Sequence, residues 1–299
     1  MHWLQSSPSW WQCLSEPSVS SSALTAAELL VWARSELAMA PTAALDSEVL
    51  LCHVLQCTST RLMTRPEQSV DPVQTQQFRQ LIAQRKQGHP VAHLTGQRGF
   101  WTLDLQVTPA TLIPRPDTEL LVELTLSKLK SGMSIADLGT GSGAIALALA
   151  SERQDVQVIA TDISAQALIT AKLNAFQNQL QQVSFIRGQW LAAFAARSLD
   201  LIVSNPPYIE DTDPHLGQGD LRFEPRTALA SGADGLDDLR VIVSQAAQVL
   251  RPGGWLLTEH GYLQSAAVQA LFASSGFIEI SAHQDFGGRD RVVMAQLPL

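Results

Sequence analysis

A chain of 299 residues, 45% of them hydrophobic, is long enough to bury a sizeable core and to form two domains. Its formal net charge of −8 argues against a broad electrostatic grip on nucleic-acid phosphates and for a protein or small-molecule substrate. No apolar stretch approaches membrane-spanning length, the first residues lack the basic and apolar blocks of a secretory signal, and Cys13, Cys52 and Cys57 form no CxxC pair or even framework, so a cytoplasmic protein is expected.

Residues 1 to about 22 are rich in Ser, Pro and Trp without a period; they receive no assignment and are expected to be mobile. Thr25-Ala26-Ala27-Glu28 has the spacing of a capping box, and Leu29, Leu30, Ala33, Leu37 and Ala40 then recur at helical spacing up to Pro41. A second helix is read from Ala43 to Leu55 with Leu45, Val49, Leu50 and Cys52 inward. A third follows near Ser59–Met63. Cys52-His53 and Cys57 fall in this apolar pattern with no fourth ligand nearby, so they read as packing and no metal site is expected. Asp71 caps a fourth helix with Pro72 at its first position and Val73, Phe78, Leu81 and Ile82 on its inner face until Gly88. Residues 23–95 thus read as a small helical bundle, a docking module without ionisable clusters of its own.

From 96 to 113 the period changes to two, with Phe100, Leu103, Leu105 and Val107 alternating with smaller or polar residues, which predicts a β-hairpin linker. Pro116 then opens a helix with Leu120, Leu121, Leu124 and Leu129 as its stripe. Beyond it, strands are expected near 133–138, 156–161, 183–187, 199–204, 254–259, 276–282 and 290–297, with helices between the first six. That alternation predicts an α/β domain over 114–299, a mainly parallel sheet whose last strand, reached by a short connection through Gly287-Gly288, runs antiparallel.

Two stretches carry chemistry. Asp137-Leu138-Gly139-Thr140-Gly141-Ser142-Gly143 leads from a strand into an apolar helix, and glycines at alternate positions let backbone approach a ligand in front of the helix N-terminus. The spacing is GxGxG rather than the dinucleotide GxGxxG, and no Gly-Lys-Ser/Thr follows, so neither a nicotinamide nor a nucleoside triphosphate is the first choice. Asp162 ends the next strand, where a carboxylate binds ribose hydroxyls or caps the helix that follows. The second stretch, Asn205-Pro206-Pro207-Tyr208, follows the apolar strand Leu199–Ser204. Two prolines stiffen the loop and leave carbonyls facing outward, while the Asn oxygen and the Tyr ring suit a planar NH2 group such as an amide or an aromatic amine. A long insertion over 209–236 either closes over the substrate or is an ordinary surface loop.

Together these motifs resemble the class I methyltransferases that use S-adenosylmethionine. More narrowly the chain is similar to the HemK/PrmC family, the glutamine methyltransferases of peptide-chain release factors. The likeness rests on Thr111–Glu119, Asp137–Ala146, Asn205–Ile209 and Arg222–Leu236, and it spans about residues 25–297. It implies a Rossmann-like sheet, S-adenosylmethionine as cofactor, and methyl transfer to the side-chain N5 of a glutamine in a release factor. Alternatives are a glutamine methyltransferase of a ribosomal protein and a nucleic-acid adenine N6-methyltransferase.

By the same resemblance Gly139, Thr140, Gly141, Ser142 and Gly143 hold the methionine and ribose portion of the cofactor, Asp162 its ribose hydroxyls and Trp190 its adenine. Asn205 touches cofactor and substrate, and Asn205, Pro206, Pro207 and Tyr208 hold the glutamine, with Asn205, Pro206 and Tyr208 catalytic. His215 and His260 read as loop and strand-end residues, since the proton becomes acidic once nitrogen carries the methyl. The helical module is expected to grip the release factor, with no direct nucleic-acid contact, no membrane and a monomeric chain.

Overall fold

The structure, a computed structural model, describes residues 24–299, so the expectations for residues 1–22 and for Cys13 lie outside the described residues. The chain divides into two compact units, the first ending at Ile82 and the second comprising Ala83–Leu299.

The first unit is built on the capping box. Glu28 Oε2 accepts from the Thr25 N–H at 2.8 Å, and Thr25 Oγ1 accepts from the Glu28 N–H at 3.3 Å, satisfying two backbone donors at the start of α1 (Ala26–Glu36). α2 (Ala43–Leu55), α3 (Ser59–Thr64) and α4 (Pro72–Lys86) follow, the last turn of α4 from Ala83 belonging to the second unit. Leu29, Ala33, Leu50, Leu51 and Phe78 are fully buried, and Trp32 meets Phe78 edge-on with ring centroids 6.2 Å apart. The inward face of α2 differs from the one read in the sequence: Leu45 and Val49 are exposed while Asp46 and Ser47 are buried. The polar pair can turn inward because each finds a partner one turn away: Asp46 Oδ2 accepts from Thr42 Oγ1–H at 3.0 Å and Ser47 Oγ–H donates to the Ala43 carbonyl at 2.6 Å. Val73, expected on the inner face of α4, is exposed too.

After the end of α4, the second unit continues with a short helix that the pattern did not reveal, α5 (Val91–Thr95), and the hairpin β1 (Gln97–Phe100) and β2 (Leu103–Gln106); the alternating Phe100, Leu103, Leu105 and Val107 are buried as read. A 3-10 turn at Pro116–Thr118 leads into α6 (Glu119–Lys128). Then come β3 (Ser134–Leu138), α7 (Ala144–Glu152), β4 (Gln157–Asp162), α8 (Ala165–Gln177), β5 (Ser184–Arg187), β6 (Leu199–Ser204), α9 (Asp237–Val249), β7 (Leu250–Glu259), α10 (Ser265–Ser274), β8 (Ile278–Gln284) and β9 (Asp290–Gln296). The expected helix between β5 and β6 does not form. The connection is short, its turns place Trp190 and Arg197 at positive φ, and the chain passes straight into β6.

The seven strands are ordered β5-β4-β3-β6-β7-β9-β8, all parallel except β9, which runs antiparallel to both neighbours. Two buried clusters cover the faces of the sheet. One gathers Leu121 and Val122 of α6 with Ala144–Ala150 of α7, and the other Leu239, Ile242 and Ala246 of α9 with Val268 and Phe272 of α10. Among the described residues no helix is long and apolar enough to cross a membrane.

Candidate functional site

β3 and β6 lie side by side, with Leu138 opposite Ser204, and the Ser204 hydroxyl donates to the Leu138 carbonyl at 2.9 Å. The Gly139–Gly143 turn and the Asn205–Tyr208 loop therefore start from neighbouring points on one sheet edge. The chain winds outward in opposite directions from these two strands, and at such a reversal a crevice opens beyond the strand ends.

Gly139, Gly141 and Gly143 have φ of +68°, +57° and +87°. At Gly139 the need is double: a β-carbon would stand 3.3 Å from the Trp190 ring, which covers the turn. Asp137, fully buried, braces the turn from behind, its Oδ2 accepting from Thr140 Oγ1–H at 2.6 Å and from the Ala146 N–H at 3.1 Å. Its Oδ1 has no hydrogen-bond partner, and burial pushes the carboxyl up to about 7 against those two donors. Asp162 faces the turn from the end of β4, accepting from the Gly141 N–H at 2.9 Å and the Ser164 N–H at 2.8 Å. Burial raises this carboxyl above its ordinary value while the two N–H groups hold it down. Ser164, whose Oγ accepts from the Ala167 N–H, is the residue that caps α8.

Gly139, Gly141, Asp162, Trp190, Asn205 and Pro207 line one cavity of about 480 Å³, within the range of small-molecule sites. Thr140, Ser142 and Gly143 do not line it: the two hydroxyl residues are buried, and Gly143 caps α7. The cavity fits a nucleoside carrying an amino-acid tail. It offers a side-chain-free cradle at Gly139 under a broad ring, and a carboxylate already fixed by backbone N–H groups yet facing the cavity. A second cavity of about 60 Å³ adjoins it, lined by Leu112, Arg115, Asn205, Pro206, Tyr208 and Leu229 among others. At ~10–15 Å³ per water-sized occupant it holds a group of a few heavy atoms. Leu112, Asn205 and Ala228 line both cavities, and of the three only Asn205 has a polar side chain.

Behind Asn205 is a buried network that the sequence did not disclose. Asn205 Nδ2–H donates to Thr118 Oγ1 at 3.0 Å, Thr118 Oγ1–H donates to Glu259 Oε2 at 2.7 Å, and the Tyr208 hydroxyl donates to Glu259 Oε1 at 3.2 Å. Burial, then the neighbouring Glu259, raises the Tyr208 phenol above its usual value. The one local signal for Glu259 is an ionisable residue ending β7 after the apolar run Trp255-Leu256-Leu257, an edge where α/β sheets place function. Thr118 lies in the segment that carried the family resemblance, but nothing in its spacing connects it to Asn205.

The 209–236 segment forms cavity wall. Pro225 and Thr227 line the larger cavity, Leu221 and Leu229 the smaller, and Ala228 both. Glu224, its side chain wholly buried, pairs with Arg115 and accepts from the Ile113 N–H at 2.9 Å, fastening the segment to the Leu112–Arg115 wall. Arg85 pairs with Asp220 at 3.0 Å and His89 packs on Phe223 with ring centroids 4.2 Å apart. His215 is exposed beside Asp213, while His260 is fully buried and held below its ordinary pKa by that burial. Among the described residues no group of three or more His, Cys, Asp or Glu could hold a metal ion.

Residues 28–96 match the family described as PrmC N-terminal domain, and residues 116–219 match the methyltransferase small domain. The chain is 52% identical over 255 residues to the release factor glutamine methyltransferase of Xylella fastidiosa, an alignment that covers 85% of this chain and 93% of that one. It is 45% identical over 252 residues to the protein of the same name from Escherichia coli, covering 84% and 91%. A solved methyltransferase from Pyrococcus furiosus superposes with a TM-score of 0.51 at 17% identity, covering 74% of this chain and 98% of that one, and shares the fold.

Proposed function

Because the chain belongs to the release factor glutamine methyltransferase family and uses S-adenosylmethionine as methyl donor, we propose that it methylates the side-chain N5 of a glutamine in a peptide-chain release factor. The observation that carries this reading is that the Asn205 carboxamide lines both a cofactor-sized cavity and an adjoining one that admits only a few heavy atoms. A carboxamide on a flexible side chain fits the smaller cavity, whereas a flipped adenine would need more room and a basic groove to bring it there.

A carboxamide nitrogen is a poor nucleophile because its lone pair is delocalised into the carbonyl. The Asn205 oxygen and the Pro206 carbonyl accept its two N–H bonds, favour pyramidalisation and aim the lone pair, an interaction that strengthens toward the transition state. Tyr208, held by its hydroxyl on Glu259 and by its carbonyl on Gln264 Nε2–H at 2.9 Å, presents its ring to the amide plane. Asp162 holds ribose hydroxyls, and Gly139 and Gly141 of the glycine turn, with Trp190, enclose the rest of the donor. When bound, S-adenosylmethionine supplies a methyl group activated by a positively charged sulfur. In-line placement of the two partners is worth about 7 kcal/mol or more of the barrier.

In this reading the helical module over 23–95 docks the release factor in the cytoplasm, the 96–113 ribbon links it to the catalytic domain over 114–299, and the enzyme acts as a monomer. The test is incubation with methyl-labelled S-adenosylmethionine and, in separate arms, a release factor, ribosomal proteins and DNA. Label on a glutamine side-chain nitrogen of the release factor is expected. Label confined to ribosomal protein or to adenine would overturn the assignment.

A further inference from the structure

The Asn205 carboxamide has two unlike ends: its nitrogen only donates and its oxygen only accepts, so it can clamp a substrate NH2 only with the oxygen turned to it. The backbone of Asn205 does not fix that choice. The residues behind it do. A hydroxyl has one hydrogen, and that of Thr118 is given to Glu259 Oε2 at 2.7 Å. Only lone pairs then remain on Thr118 Oγ1, and Asn205 meets them with its NH2 at 3.0 Å. Glu259 in turn is an acceptor at both oxygens, the second taking the Tyr208 hydroxyl at 3.2 Å.

We propose that Thr118 and Glu259 are positioning residues whose hydrogen-bond relay locks the Asn205 carboxamide with its oxygen toward the smaller cavity. The inference rests on amide-nitrogen methylation as the reaction and goes beyond it by naming what keeps the acceptor aimed. The same chemistry reverses the relay. A neutral carboxyl on Glu259 carries its own O–H and needs an acceptor; with the proton on Oε2, the oxygen in the shorter contact, Thr118 Oγ1 supplies it. The Thr118 hydrogen then swings to Asn205, whose carboxamide turns its NH2 to the substrate, donor against donor. The charged and titratable groups facing Glu259 are Tyr208 after β6, Asp117 beside Thr118, and Arg291 of β9, which lies 3.1 Å from both Asp117 and Asp285; His260 follows Glu259 in the chain. Burial is the dominant influence and pushes the carboxyl up to about 7, with Thr118, Tyr208 and Arg291 holding it down and Asp117 raising it. The relay therefore changes direction near neutral pH.

The experiment uses the full chain as parent, Thr118→Val, Thr118→Ser and Glu259→Gln. Methylation of a release factor is followed against pH. The Asn205 carboxamide is followed separately by NMR in protein labelled with 15N-asparagine, its signal identified by its loss in Asn205→Ala. Thr118→Val and Glu259→Gln are expected to lower kcat about a hundredfold while KM for S-adenosylmethionine stays within about twofold. Thr118→Ser, which keeps the hydroxyl, recovers most of that loss. Parent kcat rises with pH through about 7, and that limb is absent in Glu259→Gln. The Asn205 resonance moves in Thr118→Val and Glu259→Gln and stays in place in Thr118→Ser, a readout that holds whichever substrate the enzyme takes. A kcat for Thr118→Val within about twofold of the parent, or an Asn205 resonance that does not move, overturns the relay. A parent inactive on release factors whose resonance nonetheless moves removes the substrate assignment and supports the relay.

Discussion

A β-carbon on Gly235 would lie 2.2 Å from the carbonyl oxygen of Tyr208, so the far end of the 209–236 segment is pressed against the backbone of the clamp. Gly235 has φ of +71°, a conformation that only glycine adopts without strain, and the same Tyr208 carbonyl accepts from Gln264 Nε2–H at 2.9 Å. Gly235→Ala must move that carbonyl. Because Gly235 does not line the larger cavity, the expected outcome is selective: kcat falls about tenfold or more while calorimetry gives a cofactor Kd within about twofold of the parent. Unchanged kcat would show that the clamp does not depend on this contact.

Asn205 is exposed to a simpler test. Asn205→Ala removes the polar side chain from the wall shared by the two cavities, whereas the larger cavity keeps Gly139, Asp162 and Trp190. Methyl transfer should fall by about a hundredfold or more, with cofactor affinity within an order of magnitude. Single-turnover kinetics beside equilibrium binding separates the two, and equal activity would refute the clamp mechanism.

The contrast between what the sequence disclosed and what it withheld has a physical basis. The strand Leu199–Ser204 and the helix Ala144–Glu152 are surrounded by protein, so their apolar runs are unbroken and readable. Gly139 and Asn205 were legible as a pair because a parallel sheet delivers successive strand ends to one edge. The face of α2 was not, since Asp46 and Ser47 satisfy their polar atoms within their own helix, and burial then follows shape rather than hydrophobicity. Thr118 and Glu259 were hidden for another reason. They meet across 141 positions of chain, and hydrogen bonding between single side chains leaves no period in a sequence.

Glu224 offers a test of the cavity wall. Its carboxylate pairs with Arg115 and accepts from the buried Ile113 N–H at 2.9 Å, and burial raises its pKa against those two partners. Glu224→Ala leaves the N–H without an acceptor and loosens the wall that carries Leu112 and Arg115. A loss of about 1–3 kcal/mol is expected from the buried donor alone, read by urea unfolding, together with a raised KM for the protein substrate. Stability equal to the parent would mean that water replaces the carboxylate at Ile113.

The buried carboxyls also fix how stability responds to pH. Asp137, from an ordinary 3.8, and Glu259, from 4.5, are both pushed to about 7 in the folded chain, and Asp162 and Glu224 are raised as well. A raised carboxyl binds more protons folded than unfolded, so its contribution is complete below its unfolded pKa and is lost as pH climbs through the folded one. The raised carboxyls therefore lower the parent's stability between about pH 5 and 7, each of the two strongly shifted groups contributing up to about 1.4 kcal/mol per pH unit, while His93, His260 and His283, whose pKa burial lowers, act in the opposite sense up to their ordinary value of 6.5. Asp155, held down to about 2 by Arg153, acts in the opposite sense only at lower pH, outside this window. In Asp137→Asn the fall should be shallower by one group's share, whatever the absolute stability of the variant. Urea unfolding of parent and variant at intervals across that range measures the two slopes, and equal slopes would mean that Asp137 stays ionised when buried.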